Sequence, residues 1–141
     1  MACHRFCDVT DIDDIKQFPG LDTLLGIEIL EASGERVVLG WTVGPQLHQP
    51  FGILHGGVHC SAVESAASMG AALWYGDRGT VVGVSNHTDF LRAVRDGRLT
   101  ATATPIHQGN TQQLWLVNIT DSDDRLVARG EVRLQNLATR S

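Results

Sequence analysis

The chain has 141 residues, a length that fits one domain with a core of its own. Its composition, 43% hydrophobic and 19% charged, is that of a globular protein. A net charge of −5 argues against general nucleic-acid binding, because neutralising phosphates needs a basic face.

Cys3, His4 and Cys7 stand close together at the start of the chain, but no second ligand pair follows, so no metal site is expected. Cys60 is the third cysteine, and an odd set of three makes no disulfide framework. Arg5 and Asp8 interrupt the start and no apolar h-region follows, which argues against a signal peptide. No run approaches the roughly 18 apolar residues of a membrane span. A reduced, cytoplasmic protein without a membrane partner is expected. Ile12, Ile15 and Phe18 recur at near-helical spacing, predicting a short helix within residues 10–19 that stops near Pro19-Gly20. Residues 1–20 then form an extension to a single domain spanning 1–141.

Leu21 to Leu25 predicts another helical turn. Gly26 to Glu31 and Arg36 to Val43 read as two strands joined by a turn at Ala32-Ser33-Gly34-Glu35. Gln46 to Leu54 holds a glycine and a proline and reads as a loop. The main helix is predicted from Gly56 to about Tyr75 and ends at Gly76-Asp77-Arg78-Gly79. Four β-like runs follow: Thr80 to Leu91, Leu99 to His107, Gln112 to Thr120 and Leu126 to Leu137. The breaks at Asp96-Gly97, Gly109-Asn110 and Asp121 to Asp124 suit hairpins. Two strands, one long helix and four antiparallel strands make an α+β domain with a sheet covering one helix.

That helix is apolar or small nearly all round, so it is expected to be buried. Glu64 sits in its middle, and an ionised carboxylate there is costly unless paired or hydrogen-bonded. Glu64 therefore either faces an interface with water or substrate, or has a raised pKa. Both mark a working acid or base. The plain alternative is a solvated Glu on the helix edge, or one held by Ser61 or Ser68. Ser68 lies four residues on and shares its face. At the helix start, Gly56 and Gly57 offer unpaired backbone N–H groups that a ligand can approach closely, a place to hold a polarised carbonyl. Gln49 in the preceding loop supplies a second donor. Eight residues separate Gly56 from Glu64, about 12 Å of helix axis. One carbonyl does not reach both, whereas two helices side by side from two subunits bring them together.

Other chemistries fit less well. No GxSxG elbow is present. Cys60 lies in an apolar helix without a charge partner, which disfavours a nucleophilic thiol. His55 and His59, four apart, match a metal pair, but no HExxH pattern accompanies them. His59 is expected to pack or hydrogen-bond beside the site.

The stretch Gln49-Pro50-Phe51-Gly52-Ile53-Leu54-His55-Gly56-Gly57, followed by Glu64-Ser65 and Ser68, resembles the hotdog-fold acyl-CoA thioesterases of the PaaI-like group. The nearest branch holds the 1,4-dihydroxy-2-naphthoyl-CoA and 4-hydroxybenzoyl-CoA thioesterases. Val81-Val82-Gly83, Leu91-Arg92, Asp96-Gly97-Arg98, Pro105 to Gly109 and Trp115 extend the likeness. The resemblance implies an antiparallel sheet wrapped around one long helix. It also implies homodimers with sites at the interface, paired into homotetramers. Gln49 and the Gly56 N–H would polarise the thioester carbonyl, and His55 would help fix substrate and loop. Glu64 of the neighbouring subunit would act as nucleophile or general base, with Ser68 orienting it. CoA would enter as part of the acyl-CoA substrate, with no separate cofactor and no metal. Arg92 would contact its phosphates, while His107, Gly109 and Asn110 would line the pantetheine channel. Arg95 and Arg98 are more simply solvated surface charges. In one departure, Asn86-His87-Thr88-Asp89-Phe90 replaces a more usual Asn-x-Asn-His kind of pattern, with Phe90 where a His is common, which bears on the CoA contacts there. His59 and Cys60 also stand where smaller or apolar residues are common, which bears on the acyl pocket. Two alternatives stay open: a non-catalytic acyl-CoA-binding hotdog module, and a hydratase-type hotdog enzyme, although no Asp precedes His55 as that chemistry requires.

Overall fold

The computed structural model describes Asp13 and residues 20–140. The helix expected within residues 10–19 lies outside them, Asp13 aside. Helix α1 (Leu21–Leu25) closes on Gly26, whose left-handed φ of 71° lets its N–H turn back onto the Thr23 carbonyl. Strands β1 (Glu28–Ala32) and β2 (Val37–Val43) form a hairpin. Its turn is tied by Ser33, whose Oγ accepts the N–H groups of Glu35 and Arg36 at 3.2 and 3.0 Å. A short 3₁₀ turn (Pro45–Leu47) stands where only loop was expected, and His48 bridges to Leu54 across the rest of that segment.

Helix α2 (Gly56–Tyr75) has the expected bounds. Strands β3 (Gly79–Phe90), β4 (Gly97–Gln108), β5 (Gln112–Asp121) and β6 (Leu126–Ala138) complete a six-stranded sheet ordered β1-β2-β4-β5-β6-β3, with every neighbouring pair antiparallel. This is the predicted α+β hotdog arrangement. Alternation decides what faces the helix: Leu99, Ala101 and Ala103 on β4 and Trp115, Val117 and Ile119 on β5 are fully buried.

The sheet wraps α2 closely because both sides are trimmed. A Cβ on Gly70 would come 2.5 Å from the Trp115 ring, and one on Gly130 would come 2.5 Å from Val63. Overpacking of that kind costs about 1–3 kcal/mol. One polar cluster survives in the core because it is fully bonded. Gln113 donates to the Ala71 carbonyl and to Asn136 Oδ1, and accepts from Trp115 Nε1 at 2.9 Å. Asn136 then donates to the carbonyls of Gly109 and Asn110, which ties the β4–β5 turn to the C-terminal end of α2.

One edge of the sheet is β3, paired among the described strands only with β6. It bears a bulge between Gly83 and Ser85 that leaves Val84 as the extra residue. Beyond the bulge Asn86, Thr88 and Phe90 turn toward the helix, while the His87–Asp89 pair, 3.3 Å apart, lies on the other face.

Candidate active site

The start of α2 is built to leave one amide free. His55 is the N-cap, and its Nδ1 accepts the Gly57 N–H at 2.8 Å. That bond makes Nε2 the protonated nitrogen whenever the ring is neutral. The Val58 N–H goes to the His55 carbonyl at 3.0 Å. The Gly56 N–H, between them, has no partner among the described residues. Each glycine has its own steric reason. A Cβ on Gly57 would press on His55 Nδ1 at 2.9 Å, and one on Gly56 would strike the Phe90 ring at 2.5 Å.

Gln49 stands beside this end of the helix. Its Oε1 accepts the Phe51 N–H, which orients the amide and leaves Nε2 as a donor without a partner among the described residues. The loop carrying it is braced by the segment after β3: Leu54 donates its N–H to Val94 O at 2.7 Å, and the His48 ring bonds Arg95 O at 2.7 Å.

Glu64 is half-buried on the β3 side of α2. Ser68 Oγ donates to its Oε1 at 3.3 Å, and Asn86 Nδ2 donates to its Oε2 at 3.1 Å. Asn86 also donates to the Cys60 carbonyl, and its Oδ1 accepts from Thr88 at 2.7 Å, which fixes the amide's orientation. Gly83 lies against the carboxylate, and a Cβ there would overlap Oε1. Among the described residues no ion pair engages Glu64. The carboxylate is thus fixed by two neutral donors rather than by an arginine. Ser61 bonds back to the Gly57 carbonyl and takes no part in holding Glu64. Asn86 and Gly83 were missed as site residues. Both stand in segments compared with the family, but they reach Glu64 only through the placement of a distant strand.

His59 does not join His55. It is 3% exposed and stacks on Phe90 with ring centroids 5.7 Å apart, and its Nδ1 is buried without a partner among the described residues. Burial pushes its pKa down to about 4, so the ring is neutral near pH 7.

The three arginines separate. Arg98 pairs with Glu28 at 2.5 Å, and Arg95 reaches the Gly52 carbonyl at 3.4 Å. Arg92 is exposed, with its guanidinium in no ion pair among the described residues, at the start of the segment that braces the Gln49 loop. His107, Gly109 and Asn110 lie at the other end of the molecule, beside the C-terminal turns of α2. Within one chain they are not brought to Gln49 and Gly56: about 22 Å of helix axis separates Gly56 from Ala71. Glu64 and Gly56 are likewise apart in one chain.

A family model described as the thioesterase superfamily matches residues 51–128. The candidate esterase Rv1847 of Mycobacterium tuberculosis is 49% identical over 122 residues, covering 84% of this chain and 87% of that protein. Its solved structure superposes with a TM-score of 0.83, over 85% of this chain and 98% of that one. A 1,4-dihydroxy-2-naphthoyl-CoA hydrolase of Listeria monocytogenes is 39% identical over 108 residues, 77% of this chain and 88% of that protein. The crystal structure of AziG from S. sahachiroi, 55% identical, superposes with a TM-score of 0.81 over 83% of this chain and 95% of that one.

Proposed function

The chain belongs to the thioesterase superfamily and is a thioester hydrolase, and from that premise we propose that it hydrolyses an acyl-CoA with an aromatic acyl group, at a site completed by two copies of the chain. The observation that carries this reading is the pairing of a free Gly56 N–H at the capped helix start with a carboxylate, Glu64, fixed by neutral donors further along the same helix.

The thioester carbonyl is held by the Gly56 N–H and by Gln49 Nε2, two preorganised donors that strengthen as negative charge grows on the oxygen. Glu64 of the second copy serves as nucleophile on the carbonyl carbon or as general base on a water, and Ser68 and Asn86 hold it in either role. The C–S bond breaks, the sulfur leaves as CoA thiolate and takes up a proton, and the acyl carbon keeps the oxygen derived from water. CoA is part of the substrate, and Arg92, exposed and in no ion pair among the described residues, meets its phosphates. The aromatic acyl group is supported by the likeness to the Listeria hydrolase.

The two-copy site is supported by the strand beside the helix. β3 runs antiparallel along α2, with Phe90 over Gly56, Asn86 over Cys60 and Gly83 over Glu64. Its outer edge has no partner strand among the described residues, and Val82 and Val84 are exposed on it. A second copy adding antiparallel along that edge, with its two-fold midway between Gly83 and Phe90, sets each Gly83 opposite the other copy's Phe90. Each Glu64 then lies across from the other copy's Gly56.

Glu64→Gln tests the reading. We expect kcat for a benzoyl-CoA thiol-release assay to fall by more than about 10²-fold with Tm unchanged, because the amide neither attacks nor takes a proton. Parent-rate turnover in that variant would sink the mechanism. Gln49→Ala is expected to lose about 10²–10³ in kcat for one missing donor.

A further inference from the structure

We propose that Phe90 is the residue that selects the acyl group, its ring acting as a stacking wall for a planar aromatic acyl chain seated at Gly56. The inference rests on the acyl-CoA reading above and adds to it the residue that reads the substrate.

Phe90 lies flush against Gly56: only the absence of a side chain there makes room for its Cε2 and Cζ edge. A carbonyl bound by the Gly56 N–H therefore has its substituents within reach of this ring. The ring is nevertheless 55% exposed, an unusual state for a phenylalanine seated over the first turn of a buried helix. Its inner side is occupied by His59, stacked at an interplanar angle of 29°. His59 is backing rather than a binding group, since its ring is almost wholly buried and Nδ1 is sealed away without a partner among the described residues. A charged or mobile residue at 59 would not hold Phe90 flat. What remains open is the outer side of Phe90. In the two-fold arrangement the residue set opposite is Gly83 of the second copy, which has no side chain to cover it. In that arrangement the Phe90 ring bounds the space on one side, and the second copy's Glu64, which lies against its Gly83, stands beyond it. That matches a planar aromatic ring conjugated to the scissile carbonyl, whose face stacks while its carbonyl points at Gly56.

The test compares benzoyl-CoA with hexanoyl-CoA in wild-type protein, Phe90→Leu and Phe90→Tyr. The first readout is thiol release. The second is calorimetric binding of each thioester to the same three proteins carrying Glu64→Gln. Phe90→Leu keeps apolar bulk but loses the flat ring, so the benzoyl-to-hexanoyl ratio of kcat/KM is expected to fall about 3- to 10-fold. The binding ratio should fall in parallel, and Phe90→Tyr should keep both near wild type. Equal losses for both substrates in Phe90→Leu, or an unchanged ratio, would overturn the wall. Absence of thiol release by the wild-type protein would instead count against the hydrolytic reading. In that case the binding ratio still decides whether Phe90 discriminates.

Discussion

His59 is a buried imidazole whose stability cost depends on pH. Its folded pKa of about 4 lies below the ordinary value of 6.5, so between these values the unfolded chain binds a proton that the folded chain does not. The slope of unfolding free energy with pH is then positive: stability is full above about 6.5, falls with acidification, and stops falling below about 4. The loss is on the order of 3 kcal/mol at most. His59→Leu removes the titration, so urea midpoints measured from pH 7 to pH 4 should decline less in that variant than in the parent. Parallel declines would mean that other groups set the acid limb. Gly83 gives a second prediction at this scale. The methyl of Gly83→Ala would stand where Glu64 Oε1 lies, displacing the carboxylate from Ser68 and Asn86. An exposed strand position tolerates alanine well, so Tm should hold while kcat falls at least about tenfold, since a misplaced reacting group is expensive. An unchanged kcat in steady-state assays would show that Glu64 does its work from some other position.

The start of helix α2 depends on a cap that a histidine supplies. His55→Ala frees the Gly57 N–H and should lower stability by about 1 kcal/mol, whereas His55→Asn keeps an acceptor and should hold Tm close to the parent in calorimetry. Equal Tm losses in the two variants would show that the cap is not what His55 contributes. The elements themselves were readable from residue order because a long run of small and apolar residues from Gly56 to Tyr75 gives way after Gly76 to shorter β-like runs, and the turns carry Gly, Asn and Asp. The helix bounds came from Gly56-Gly57 and Gly76, and Glu64 stood out because its neighbours are so uniformly small. The bulge at Val84 was not readable. Val82, Gly83, Val84 and Ser85 give no period that distinguishes a regular strand from a bulged one, and the choice is made by pairing with Arg133 and Leu134 some fifty residues away. That choice puts Asn86 and Phe90 on the helix side and His87 and Asp89 on the other, so the site's composition on β3 was out of reach of local pattern. The separation of Arg92 from Arg98 was hidden for the same reason, because Glu28 meets Arg98 only through the β1–β2–β4 pairing.

At the scale of the molecule, the proposed mechanism has its two halves at two places on one helix. A single rigid helix has no motion that closes about 12 Å between Gly56 and Glu64. The mechanism therefore stands or falls on donors and acid coming from different chains, and subunit complementation decides it. Gln49→Ala damages the donor half and Glu64→Gln the acid half. In a heterodimer of the two variants, co-expressed with different tags and purified through both, one site carries both defects and the other carries neither. Closed two-fold symmetry then predicts about half the wild-type activity per dimer, from two parents that are each slower by two orders of magnitude or more. If both halves worked within one chain, every site of the heterodimer would carry a defect and its rate would be no more than the mean of its parents. A heterodimer at that mean would remove the two-chain site, and with it the reason for placing Glu64 opposite Gly56.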